Sequence, residues 1–130
     1  MTDALLSASD LTRSFLHGGR TIEVLKGLDI MVAPAERVAI VGKSGVGKST
    51  LLHILGTLDV PDSGSMRFEG QEVFQMSAPQ LARFRNRHIG FVFQFHHLLP
   101  EFSALENVMI PAIIGSLSRR EAGARAAKLL

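Results

Sequence analysis

The sequence has 130 residues, 46% of them hydrophobic, enough for one modest domain with a buried core, and this excludes a disordered chain. A formal net charge of +2 is too small to mark nucleic-acid binding, so no nucleic-acid partner is expected, and the absence of cysteine excludes disulfides and thiolate metal sites. Met1 to Leu6 lacks the basic start and sustained apolar core of a signal peptide, and no apolar run approaches the roughly 20 residues that span a bilayer, so membrane association would come through a partner.

From Leu5 to Phe15 the pattern predicts a strand broken at Ser9-Asp10, followed by a turn at Leu16-His17-Gly18-Gly19-Arg20. Thr21 to Leu25 and Leu28 to Val32 predict two further strands, separated at Gly27 and closed by Ala33-Pro34. An antiparallel β layer is therefore expected at the start of the chain. Phe15 taken alone reads as a core ring, though an aromatic on such a layer is also able to stack on a nucleotide base.

Arg37-Val38-Ala39-Ile40-Val41 is apolar and β-branched and predicts a strand, while Ser49 to Leu55 carries apolar residues at helical spacing. Between them stands Gly42-Lys43-Ser44-Gly45-Val46-Gly47-Lys48-Ser49, the pattern of a glycine, four residues, then Gly-Lys-Ser that defines a phosphate-binding P-loop. The residue types follow from the chemistry. Backbone N–H groups converge on phosphate oxygens only where no side chain blocks them, which is the work of Gly42, Gly45 and Gly47. The unpaired N–H groups of the new helix face the same anion. Lys48 supplies a mobile charge for the β- and γ-phosphates, the Ser49 hydroxyl suits Mg2+, which prefers oxygen ligands, and Thr50 would reach the α-phosphate.

Gly56 to Gly64 is a cluster of turn formers, and Ser65 to Gly70 alternates like a short strand. Ser77-Ala78-Pro79-Gln80 predicts a capping box that opens a basic helix, whose Arg83, Arg85 and Arg87 do not share one face and read as a solvated surface. Ile89-Gly90-Phe91-Val92-Phe93 predicts a buried strand that delivers Gln94 to its carboxyl end, where open α/β sheets bind ligands; the Gln94 amide oxygen suits Mg2+ or a water. His96 and His97 lack a third ligand at metal-binding spacing. Ser103-Ala104-Leu105-Glu106 predicts a second capping box, for a helix that Pro111 should kink or end. Ser118-Arg119-Arg120-Glu121 predicts a third, for a helix that runs to Leu130 with no residue to stop it.

The early β layer, the P-loop, the strand ending in Gln94 and the helical region after it resemble ATP-binding-cassette (ABC) ATPases in type and order. The stretch from Phe93 to Val108, with Gln94-Phe95-His96-His97-Leu98-Leu99-Pro100-Glu101 at its start, is similar to the lipoprotein-releasing (LolD-like) branch. Macrolide-exporter and cell-division ATPases share its His-Leu-Leu core and are the alternative branches. The implied fold is α/β: a P-loop NTPase core with an N-terminal antiparallel β layer and the start of the helical subdomain, with the C-terminal half of the cassette absent. Residues 1–130 would form the N-terminal part of one ATP-binding domain, with core and glutamine in about 1–94 and the helical start in about 95–130, ending inside a helix.

The resemblance also implies roles. Phe15 would stack on adenine, and Gly42, Lys43, Ser44, Gly45, Val46, Gly47, Lys48, Ser49 and Thr50 would hold the phosphates of ATP. Ser49 and Gln94 would face Mg2+, with Lys48 and Gln94 serving hydrolysis. Phe95 to about Ile114 would contact integral-membrane transporter subunits, a second ATPase subunit would complete a homodimer, and the protein would sit peripherally on the cytoplasmic face of the bacterial inner membrane. Closure of that dimer on ATP would drive lipoprotein release. Two features depart from the family pattern. Pro34-Ala35-Glu36 replaces the usual Pro-Gly-Glu, which strains Ala35 if the turn needs a positive φ, and Lys43 stands where a small or polar residue is usual. The sequence also contains no Leu-Ser-Gly-Gly-Gln signature, no apolar strand ending in Asp-Glu and no later switch histidine. A nucleotide- or partner-binding module without hydrolytic activity is therefore the alternative reading.

Overall fold

The computed structural model describes residues 4–130, so the beginning of the Met1-to-Leu6 segment discussed above lies outside the described residues. The chain divides into two compact units, Met1–Leu81 and Ala82–Leu130.

The first unit is built on an antiparallel sheet of order β2-β1-β3-β4. Strand β1 (Leu6–His17) and strand β2 (Arg20–Val32) form one long hairpin, with Gly18 and Gly19 at its tip. The expected breaks at Ser9-Asp10 and Gly27 do not end either strand; they become bulges. Asp10 (φ 52) and Gly27 (φ 78) lie in the left-handed region, and the pairing register shifts between Ala8 and Leu11. The Asp29 carboxylate accepts from the Asp10 N–H at 2.7 Å and so satisfies the backbone donor that the bulge releases from the ladder.

Strand β3 (Ser63–Phe68) pairs with the other edge of β1, and the short strand β4 (Gln71–Glu72) follows it. Gly64 (φ +100) lies where β3 passes the bulge: a Cβ there would stand 2.5 Å from the Asp10 carbonyl oxygen. Helix α1 (Lys48–Leu55) buries Leu51 and Ile54, which join Ala8, Leu11, Leu25, Met66 and Val73 as the buried apolar residues of this unit. The spacing of Leu51 and Ile54 puts both on one helical face.

Two predicted strands are not formed. Among the described residues, the 37–41 and 89–93 runs pair with no strand, although both have the composition of buried strands. Val41 is 88% exposed and Val92 fully exposed. The reason is that a strand exists through its neighbours: its N–H and C=O groups alternate outward and require a second backbone. The Phe91 and Phe93 rings instead stack at 5.1 Å, and His97 meets Phe93 edge-on at 4.9 Å.

The second unit contains helix α3 (Ala104–Ile114) and helix α4 (Arg119–Ala127), packed through Met109, Ala122 and Ala126. Helix α2 (Ala78–His88) precedes them and starts just ahead of the unit boundary. In its predicted box the Gln80 amide oxygen accepts from the Ser77 N–H. The boxes at Ser103 and Ser118 are complete in both directions. Pro111 does not end α3, which continues to Ile114 and closes at Gly115, where the Gly115 N–H returns to the Pro111 carbonyl. The same carbonyl accepts from the Asn86 side chain, tying α2 to α3. Helix α4 stops at Ala127 with Lys128 as its cap, short of the predicted run to Leu130, since the last carbonyls of a helix lack the donors a further turn would bring.

Ala35 has φ 60, so the strain expected at this turn is present; the turn is held by the Glu36 carboxylate, which accepts from the Ala33 N–H at 2.6 Å. Replacing Ala35 by Gly should raise stability in urea unfolding by up to about 1 kcal/mol. Gly64→Ala should lower it by more than about 2 kcal/mol, because left-handed strain and the overlap with Asp10 add.

Glu106 and Glu121 carboxyls titrate below the usual glutamate value of 4.5, Glu106 chiefly through the Ser103 backbone N–H and Glu121 chiefly through the Ser118 side chain. A lowered folded-state value means stability that is present above about pH 4.5 and lost as pH falls through the folded value. Far-UV circular dichroism should therefore show helix loss in acid, and Glu106→Gln with Glu121→Gln should flatten that dependence.

Candidate functional site

The chain leaves β2 through the Pro34-Ala35 turn and the extended 37–41 segment, then enters the P-loop. The Val46 N–H bonds the Lys43 carbonyl at 3.3 Å and Gly45 takes φ 78. Gly47, at φ 105, is the N-cap of α1. Gly47 has a second reason to be glycine: a Cβ would lie 2.6 Å from Val24 Cγ1 and 3.2 Å from the Val24 carbonyl oxygen. The loop thus rests directly on strand β2. Left-handed residues at Gly45 and Gly47 are of the kind that build anion-binding backbone nests, and no side chain caps the start of α1, so its first N–H groups stay available to an anion.

The groove above the loop has a volume of about 380 Å³ and is lined by Phe15, Val24, Ser44, Gly45, Gly47, Lys48, Ser49 and Thr50. Phe15 enters it from the hairpin, opposite Ile22, and is 41% exposed, so it is not the core ring that the sequence pattern alone allows. The Lys48 ammonium donates to the Gly42 and Lys43 carbonyls at 2.7 Å each, which folds the cation back over the loop. Gly42, Lys43 and Val46 shape the loop without lining the groove: the Val46 side chain covers the position of a Gly42 Cβ, which would stand 2.9 Å from Val46 Cγ1.

The residues present would suit the phosphates of a nucleoside triphosphate. A Cβ on Gly45 would meet nothing within 4 Å, so one side of the cradle is open, and an uncapped helix start with one lysine supplies the positive field. Ser49 and Thr50 contribute hydroxyl oxygens of the kind that Mg2+ accepts. Gln94 is exposed in the second unit, after the extended 89–93 run, and is described with that unit.

Sequence reasoning missed Val24, which supports Gly47, and Arg13, whose guanidinium sits 4.9 Å from the Phe15 ring centroid. The i, i+2 spacing of Arg13 and Phe15 was the available signal for the second. No local signal marks the first.

In the second unit Asn107 organises the loop before α3. Its amide nitrogen donates to the carbonyls of Leu99, Phe102 and Ser103, and its amide oxygen accepts from the Leu99 N–H at 2.8 Å. The loop so held presents Phe95, Leu98, Leu99 and Phe102 to solvent. Among the described residues, no helix is long and apolar enough to cross a membrane.

The chain is 57% identical over 127 residues to the lipoprotein-releasing system ATP-binding protein LolD of Geobacter metallireducens, covering 98% of this chain and 56% of that protein. It is 52% identical over 130 residues to the LolD of Idiomarina loihiensis, with 57% of that protein covered. The chain thus spans about half the length of the curated relatives it matches. Among solved structures it superposes on an ATP-binding cassette determined as a dimer in a post-hydrolysis state bound to ADP and Pi, with a TM-score of 0.85 and 34% identity, over 95% of this chain and 54% of that one. The family model described as ABC transporter matches residues 25–130, from the strand beneath the loop to the end of the chain, and the chain belongs to the ABC transporter family.

Proposed function

We propose that this chain is the nucleotide-gripping part of an ABC ATPase of the lipoprotein-releasing type. The observation that carries the reading is the groove itself: an uncapped helix start, glycines at positive φ and one lysine, facing an aromatic ring across a cleft. Phe15 stacks on the base; Gly42 to Ser49 and Thr50 wrap the phosphates; Lys48 neutralises their charge; the Ser49 hydroxyl would provide an oxygen ligand to Mg2+, and the Mg2+-facing role of Gln94 rests on the family resemblance alone. ATP–Mg2+, when bound, would supply the phosphoanhydride whose cleavage does work, and the loop residues would orient its phosphates.

In the longer protein, ATP hydrolysis would power lipoprotein release from the inner membrane. The similarity to LolD proteins supports that cargo class, and the dimeric state of the solved cassette supports pairing of two ATPase subunits. The segment from Phe95 to about Ile114 would dock on integral-membrane subunits at the cytoplasmic face; the exposed apolar side chains on the loop braced by Asn107 support this. Residues 95–130 would begin the helical subdomain.

Lys48→Ala should weaken ATP binding at least about tenfold and abolish turnover in the longer protein, because it removes a charge-assisted contact to the phosphates. Gly47→Ala should match that loss by a different route, since its Cβ would displace the loop from Val24. Calorimetric titration with ATP–Mg2+ and a phosphate-release assay separate the two quantities. Unchanged turnover in Lys48→Ala refutes the assignment; nucleotide binding without turnover by the purified 130-residue chain is what the non-hydrolytic module predicts, and measurable hydrolysis by that chain excludes it.

A further inference from the structure

Arg13 lies outside the groove, yet it is the most heavily anchored charged side chain near it. Its Nη1 donates to Asp62 Oδ1 at 2.9 Å and its Nη2 to Asp59 Oδ1 at 2.9 Å. Both carboxylates are themselves held. Asp62 Oδ2 accepts from the Ser14 N–H at 2.6 Å, the Asp62 N–H donates to the Thr12 carbonyl, and Asp59 Oδ1 also accepts from the Val60 N–H. The Thr12 and Ser63 hydroxyls, 2.7 Å apart, close the same join between β1 and the turn after α1. Only a quarter of the Arg13 side chain is exposed, and its Nε is buried.

The guanidinium so fixed lies over the Phe15 ring, at 4.9 Å from the centroid. Phe15 lines the groove and Arg13 does not. The ring thus contacts the anchored cation and also lines the groove. Guanidinium chemistry suits this double duty: its plate lies over an aromatic face while its N–H fork reaches carboxylates in plane, which a lysine ammonium, a point charge, does not reproduce.

We propose that Arg13, pinned by Asp59 and Asp62, is a positioning residue for base recognition: it backs Phe15 and holds that ring ready to stack on the base of a nucleoside triphosphate. The proposal rests on the reading of the groove as an ATP site. It links the turn after the phosphate-binding helix to the base-binding ring, so that phosphate and base contacts are set by one braced unit. An unbraced half-exposed ring has several rotamers available, and ordering it on binding weakens affinity.

The test compares two probes, ATP–Mg2+ and inorganic tripolyphosphate–Mg2+, which has the phosphates and no base, by calorimetric titration of the purified protein. Arg13→Ala and Arg13→Lys should each weaken ATP by about 3- to 30-fold, the range of a partly desolvated cation–π contact, and leave tripolyphosphate unchanged. In a Phe15→Ala background the Arg13 replacements should add no further loss for ATP. Asp62→Asn releases one anchor and should give a smaller loss of the same kind; with thermal unfolding to verify folding, it and Arg13→Lys keep the test decisive if Arg13→Ala does not fold.

Equal weakening of both probes, or a full Arg13 effect that persists without Phe15, would mean that Arg13 only holds the sheet together and would overturn the proposal. Wild-type protein that binds neither probe would remove the ATP reading of the groove and the proposal with it. Tripolyphosphate binding with unaltered ATP affinity in the Arg13 variants would overturn the proposal alone.

Discussion

The contact between Gly47 and Val24 carries the geometry of the site. A phosphate-binding loop is a set of backbone donors, and donors converge only if the backbone is held at positions that ordinary residues avoid. Here the turn is pressed onto strand β2 so closely that no side chain fits between. The sheet therefore dictates where α1 begins and where its uncapped N–H groups point. Because β2 is paired to β1 along the hairpin, the same sheet that supports the loop also carries Phe15 to the opposite side of the groove.

The hairpin does this through irregularity. Regular pairing would alternate side chains without change along β1, yet the strand must pack its first half against β3 and offer its second half to the groove and to the turn after α1. Bulges at Asp10 and Gly27 make the transition, and the Asp29 carboxylate satisfies the backbone donor released there. At Gly64 the bulge's carbonyls approach so closely that a Cβ would overlap them. Beyond the bulge, charge replaces apolar packing as the bond between elements: Arg13 reaches both Asp59 and Asp62, and Asp62 reaches back to the Ser14 backbone. Half-exposed ion pairs are individually weak, but carboxylates already fixed by backbone donors give this set a defined geometry.

Much of the site was legible in local patterns. The glycine spacing, the lysine and the hydroxyls of the P-loop state their chemistry in sequence order, and the capping boxes at Ser103 and Ser118 appear where Ser and Glu stand three residues apart. Ala35 was readable as strained, because a turn's sign of φ is a local property. Less legible were the 37–41 and 89–93 runs. Their composition is that of buried strands, but pairing is a relation between distant segments, and composition cannot supply the partner. Of the two outcomes expected at Pro111, a kink or an end, the end does not occur: a lost hydrogen bond disfavours helix locally, while Met109 packs against α4 and the Asn86 side chain bonds the Pro111 carbonyl, and α3 runs on to Ile114.

The sequence by itself pointed to the class of ligand, a nucleotide, since glycines that free backbone donors, a lysine and hydroxyls in that order ahead of a helix are the pattern of a phosphate-binding loop. It also determined the family, through the order of its segments and the stretch around Gln94. Only the tertiary structure decided that Phe15 faces the groove and not the core, that Val24 forbids a side chain at position 47, and that Arg13 braces the ring from two aspartates nearly fifty residues away. The physical reason is range. Phosphate binding is written in one turn of backbone, whereas the placement of a ring or a cation depends on contacts that exist only once strands β1, β2 and β3 have paired.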